Sequence, residues 1–155
     1  MRSPILFLSV LFLLSFAACK GAKPAGEQNQ TSVKSGEVAF INSETLSDVL
    51  DEAERQDKLV FVDFYTTWCL PCRLMDEEVF NDKEIAKFLN DNFLSYKVDA
   101  ERGNGPNLAV VFNVNTYPTL LFLDAKGRVL EKKVGAAFQT ELREMGQRAL
   151  SQGGQ

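Results

Sequence analysis

The 155-residue chain has no histidine and only three cysteines, at positions 19, 69 and 72. Zinc usually takes four protein or water ligands, so Cys69 and Cys72, with no histidine and no third cysteine beside them, make a poor metal clip. Positive charge is short as well: 17 lysines and arginines stand against 21 aspartates and glutamates, a net of −4, which argues against nucleic acid or anionic lipid as the partner. The apolar run from Ile5 to Ala18 is 14 residues long and broken by Ser9 and Ser15, short of the roughly 20 that a membrane-spanning helix needs. The length admits one ordinary globular domain and no second catalytic one, and no internal repeat is visible.

What the N-terminus does contain is Arg2 ahead of that run, the pattern of a secretory signal over residues 1–18. The run ends in Ser15-Phe16-Ala17-Ala18-Cys19, which resembles the lipobox of bacterial lipoproteins, although Phe16 stands where leucine is commoner. The resemblance implies cleavage before Cys19 and acylation of that cysteine, two or more chains giving a stable anchor where one does not. The alternative is an ordinary signal peptide with an unmodified Cys19. Lys20 follows in place of the acidic residue that marks inner-membrane retention in enteric bacteria, so the outer membrane is the expected destination where the host has one. Lipidation of Cys19 leaves a pair of cysteines and no odd thiol in an oxidising compartment. Losing residues 1–18 removes Arg2 and no acid, so the mature chain carries 16 basic and 21 acidic residues and a net charge of −5. Residues 20–36, KGAKPAGEQNQTSVKSG, have no aromatic and a single branched aliphatic, Val33, and are expected to be a flexible tether. Such a segment has a typical end-to-end distance of about 20 to 25 Å.

A globular head is expected over residues 37–150, with 151–155 a disordered tail. Val38 to Ile41 reads as a short strand ending in the turn-and-cap residues Asn42 and Ser43, and Leu46, Val49, Leu50 and Ala53 have the spacing of a one-sided surface helix. Leu59 to Tyr65 is a continuous apolar run, suited to a central strand covered on both faces. After the cysteine pair come two helical pieces broken near Asn81 or Asp82, then a strand from Phe93 to Asp99 and a short helix from Pro106 to Phe112. Strands Thr119–Leu123 and Arg128–Val134 are joined by the turn Asp124-Ala-Lys-Gly127, and Phe138, Leu142, Met145 and Ala149 line a closing helix. This order predicts an α/β fold with a central mixed sheet flanked by helices and ending in an antiparallel hairpin.

The chemistry concentrates in Trp68-Cys69-Leu70-Pro71-Cys72, where a buried strand gives way to a helix. Unpaired N–H groups and the dipole at a helix start favour thiolate over thiol, so Cys69 ionises more easily than a free cysteine of pKa about 8.5 and is the expected attacking group. Cys72 lies one turn on, placed to break a mixed disulfide by intramolecular attack. A purely structural disulfide between these positions closes a tiny loop and stabilises little. Asp63 interrupts the apolar strand six residues before Cys69. Burying its charge without a partner costs several kcal/mol, so its pKa is expected to be raised unless it tips to solvent at a sheet end.

Residues 62–72, VDFYTTWCLPC, with Thr116-Tyr117-Pro118-Thr119 and Gly135 before the last helix, resemble the thioredoxin family over about residues 38–150. Through Asp76, Glu78-Val79-Phe80-Asn81-Asp82 and Ile85, the chain is most similar to the C-terminal periplasmic domain of the thiol:disulfide interchange protein DsbD. The resemblance implies that Asp63 is a buried proton acceptor for Cys72, that Asp76 holds the thiols in check, and that Tyr117-Pro118 is a cis bond beside the cysteines. Tyr117 then contacts substrate through its backbone, and Trp68 belongs to the same surface. No lysine clearly matches the one thioredoxins place near the buried aspartate, since Lys97 falls two positions later along its strand. The implied activity is protein-disulfide exchange, with reduction of exported proteins expected. A membrane electron donor of the DsbD or CcdA kind would recharge the dithiol. No metal or other cofactor is expected, and a monomer is expected. An oxidase or isomerase, and a binding module without chemistry, are the competing readings.

Overall fold

Alternation along the central strand sets the architecture. In β2 (Leu59–Tyr65), Val60, Val62 and Phe64 point to one face and Phe61 and Asp63 to the other, and all five are buried, as expected for a strand covered on both sides. The computed structural model describes residues 36–153. The expected signal segment, Cys19, the tether up to residue 35 and residues 154–155 lie outside the described residues.

Five strands form one mixed sheet in the order β1-β3-β2-β4-β5, with β1 (Phe40–Ile41) and β3 (Phe93–Asp99) parallel to β2, β4 (Thr119–Leu123) antiparallel to β2, and β5 (Val129–Val134) antiparallel to β4 in a hairpin. One face packs Phe61, Phe93 and Phe122 with Met75, Val79, Phe80, Leu89, Leu142 and Ala149. Helices α3 (Lys83–Asn92) and α5 (Gln139–Gly153) cover it, together with the helix that carries the cysteines. The other face packs Val60, Val62, Phe64, Leu121 and Leu123 under α1 (Leu46–Gln56) and α4 (Gly105–Val111). Asp63 therefore faces the layer that holds Met75 and Val79, in the helical turn that follows Cys72, because it shares the parity of Phe61.

The expected α/β order holds, and the differences have local causes. The first strand shortens to Phe40–Ile41 because the Val38 N–H leaves the ladder for the Phe80 carbonyl (2.9 Å) and the Ala39 N–H for Asn90 Oδ1 (2.8 Å). Thr45, not Asn42 or Ser43, caps α1, its hydroxyl accepting the Asp48 N–H at 3.2 Å. The break near Asn81 and Asp82 is present, with Asp82 Oδ1 capping α3 through the N–H groups of Glu84 and Ile85. Phe138 does not line the last helix: it precedes α5 and is 75% exposed, while Leu142, Met145 and Ala149 are buried. That helix also runs through Ser151–Gly153, part of the expected tail, because Gly153 packs against Leu59, where a Cβ would stand 2.7 Å from Leu59 Cδ2.

Candidate active site

The strand-to-helix junction builds the cysteine pair. After β2, the Cys69 N–H donates to the Thr66 carbonyl (3.2 Å) and Cys69 takes an extended conformation as the N-cap of α2 (Leu70–Leu74). Pro71 sits in the first turn, where a missing N–H costs nothing. The Cys72 N–H donates to Cys69 Sγ at 3.2 Å, so the backbone favours negative charge on Cys69. The two sulfurs are joined in a disulfide across Cα atoms 5.4 Å apart, and Cys69 and Cys72 are 3% and 1% exposed. The exposed side chains of Trp68 and Leu70 flank Cys69 in sequence.

Helix α2 runs directly into a π-helical turn, Met75–Val79, closed by the Phe80 N–H donating to the Met75 carbonyl at 2.9 Å. Here the reading of Lys97 is corrected. Strand register sets Lys97 directly opposite Asp63, with Nζ 3.5 Å from Asp63 Oδ2 and in direct contact with Asp76 Oδ1. Counting positions along one strand missed this, because the partner of a residue is decided by inter-strand register. Burial pushes the Asp63 carboxyl up to about 6; Lys97 opposes the rise and Asp76 adds to it. Neither Asp63 oxygen has a hydrogen-bond partner. Phe40, Tyr65 and Phe80 set their rings 4.9 to 5.5 Å from Lys97 Nζ.

The Tyr117-Pro118 bond is cis. Thr119 is opposite Phe64, so Pro118 sits level with Tyr65, at the end of the sheet where Cys69 follows. The Pro118 carbonyl accepts the N–H of Gly135, whose φ of +94° suits glycine. Among the described residues, the N–H and carbonyl of Tyr117 have no backbone partner. The Tyr117 ring meets Trp68 edge to face at 6.1 Å between centroids. Trp68 is 64% exposed, yet its indole N–H donates to Glu101, 3.0 and 3.1 Å from the two carboxylate oxygens. Glu101 escaped the sequence reading: it lies in the loop after β3, 33 residues from Trp68, with no motif of its own. Because Trp68 is the chain's single tryptophan, Glu101→Ala is expected to lower its fluorescence anisotropy on the nanosecond scale. An unchanged anisotropy would mean that Tyr117 alone fixes the indole.

The site thus joins Trp68 with Tyr117, and Asp63 with Asp76 through Lys97, around one disulfide at a helix start. A family model described as a thioredoxin-like domain matches residues 46–150. The chain belongs to the thioredoxin-like family. Among relatives, Thioredoxin H4 of Arabidopsis thaliana is 38% identical over 87 residues, covering 56% of this chain and 68% of that protein. The thiol:disulfide interchange protein DsbD of Tatumella citrea is 28% identical over 127 residues, 77% of this chain but only 22% of DsbD. A solution structure of a candidate disulphide-isomerase from Bacteroides thetaiotaomicron superposes with a TM-score of 0.67 at 36% identity, covering 76% of this chain and 97% of that one. The oxidised C-terminal domain of Neisseria meningitidis DsbD shares the fold, with a TM-score of 0.59 at 22% identity over 72% of this chain and 99% of that domain. With Cys69 and Cys72 joined as a Cys-x-x-Cys disulfide, this is a thioredoxin-like thiol–disulfide oxidoreductase.

Proposed function

We propose that this thioredoxin-like protein works outside the cytoplasm as a reductant of disulfides in exported proteins, held at a membrane, preferably the outer one, by lipid on Cys19. The observation that carries the resolving step is the buried carboxyl of Asp63, raised to about 6, on the sheet face covered by the π-helical turn that continues the helix of Cys72. A base placed there favours the closing step. The Cys69 thiolate attacks a substrate disulfide, forming a mixed disulfide and releasing the first substrate sulfur as a thiolate. Asp63 takes the proton of Cys72, whose thiolate then attacks Cys69 Sγ. The Cys69–Cys72 bond forms, the bond from Cys69 to substrate breaks, and the second substrate sulfur leaves as a thiolate that solvent protonates. Two electrons pass from the dithiol to the substrate.

Trp68, Tyr117 and Pro118 form the substrate face, with the free backbone groups of Tyr117 offered to an extended segment. A membrane donor of the DsbD or CcdA kind returns the two electrons, consistent with the likeness to DsbD, and the working form is a monomer. The test is the midpoint potential of the Cys69–Cys72 couple in the full chain, equilibrated in glutathione and dithiothreitol buffers. A value near about −270 mV is expected, the thioredoxin range, whereas one near about −120 mV would make the protein an oxidant. The likeness to the Bacteroides structure favours isomerase as the second reading, with an intermediate potential near about −180 mV.

A further inference from the structure

Lys97 stands between two carboxylates of unlike exposure. Asp63 is 1% exposed and 3.5 Å away without a hydrogen bond, while Asp76 is 45% exposed and in direct contact. The rings of Phe40, Tyr65 and Phe80 hold the ammonium against aromatic faces, which attract a cation where water is displaced. A cleft of about 300 Å³ opens there, between Glu37 and Phe40 on one side and Asp76, Glu77 and Asn81 on the other. None of Trp68, Tyr117 and Pro118 lines it, so Lys97 and Asp76 meet water through a cleft separate from those three residues. The charged groups facing the ammonium are Asp63 from β2, Asp76 and Glu77 from the π-helical turn, and Glu37 from the segment before β1.

We propose that Asp76 is a positioning residue which draws the Lys97 ammonium toward the mouth of this cleft, keeps it from closing on Asp63, and so leaves Asp63 free to take up and give back a proton while substrate is bound. The role deepens the resolving step set out above and rests on it. It also replaces direct repulsion of the thiols, the effect expected of Asp76 from resemblance. An ammonium with two carboxylates to serve makes the shorter contact to the exposed one, whose charge is cheaper to keep ionised in water. Without the Asp76 charge, Asp63 is the one carboxylate left within ion-pair distance of Lys97, ahead of Glu37 and Glu77 across the cleft, and the ammonium closes on it.

The test is an infrared titration of the Asp63 carboxyl in the full-length oxidised protein, where no cysteine titrates, with Asp63→Asn to assign the band. Asp76→Asn is expected to lower the Asp63 midpoint by about one pH unit when Lys97 is present, and by less than half as much in a Lys97→Met background, where only direct repulsion between the carboxylates is lost. Equal shifts in the two backgrounds, or none, would overturn the proposal. In the reduced protein the ultraviolet absorbance of the Cys69 thiolate is expected to titrate at the same pH in wild type and Asp76→Asn. A matching fall there would return Asp76 to direct action on the thiol. Asp76→Glu keeps the charge and is expected to restore the wild-type Asp63 midpoint, and its failure to do so with the fold intact would also overturn the assignment. The oxidised-state titration does not depend on which way electrons flow. An oxidising midpoint potential would therefore sink the reductase reading and leave this result readable.

Discussion

Replacing Cys72 by alanine is expected to trap the protein on its substrate as a mixed disulfide through Cys69, while Cys69→Ser is expected to reduce exchange to the uncatalysed background. The asymmetry follows from the first turn of α2. The Cys72 N–H points at Cys69 Sγ at 3.2 Å, and exposed Trp68 and Leu70 flank Cys69 where a partner must dock. Cys72 is the more deeply buried of the two and is reached from Cys69 within the same turn, so its chemistry is intramolecular. Intramolecular attack carries a large advantage in effective concentration, and removing Cys72 leaves only slow release by external thiols. Non-reducing gels of Cys72→Ala incubated with a disulfide-bearing protein, and turnover of Cys69→Ser with dithiothreitol as donor, are the measurements. Adducts on Cys69→Ser and none on Cys72→Ala would reverse the two roles. A Cys69→Ser protein that functions normally would leave only a binding module.

Most of the sheet was legible because its signals are local. The unbroken apolar run of β2, the proline at the start of α4 and the Asp124–Gly127 turn each specify one element without help from elsewhere. The cysteine pair was legible for the same reason, since its spacing and its position at a strand end are properties of five consecutive residues. What escaped was set by pairing across the chain. The partnership of Lys97 with Asp63 depends on the register of β3 against β2, and the Glu101–Trp68 bond on how the loop after β3 folds back. The short first strand belongs to this class too, because Asn90 and Phe80, 51 and 42 residues from Ala39 and Val38, take the hydrogen bonds that would have extended it. The π-helical turn has no pattern that distinguishes it from ordinary helix, and it comes into view only through the Phe80 to Met75 bond.

Asp63→Asn is expected to slow release of substrate about 100-fold while making the protein more stable at neutral pH, and the two effects share one cause. Burial penalises the charged form of Asp63, so the folded protein keeps its proton up to about 6 instead of 3.8, with Lys97 offsetting part of the rise and Asp76 adding to it. From about pH 4 to about pH 6 the folded state binds a proton that the unfolded chain has already lost. Stability therefore falls as pH rises through that window and levels off above it. Below the window both states are protonated and no penalty remains. The full penalty above about pH 6 is on the order of 2 to 3 kcal/mol. Asparagine carries no charge to bury, and Lys97 keeps Asp76 as its partner. Urea denaturation of wild type and Asp63→Asn is thus expected to show the variant more stable at neutral pH, with the gain shrinking toward nothing at about pH 4. A gain of equal size at both pH values would assign it to packing and not to ionisation. Single-turnover release from the mixed disulfide completes the argument: wild type is expected to lose rate as pH falls through about 6, and the variant to lose that inflection. If the inflection survives in Asp63→Asn, the proton of Cys72 goes elsewhere, and the buried carboxyl is a stability cost without a catalytic return.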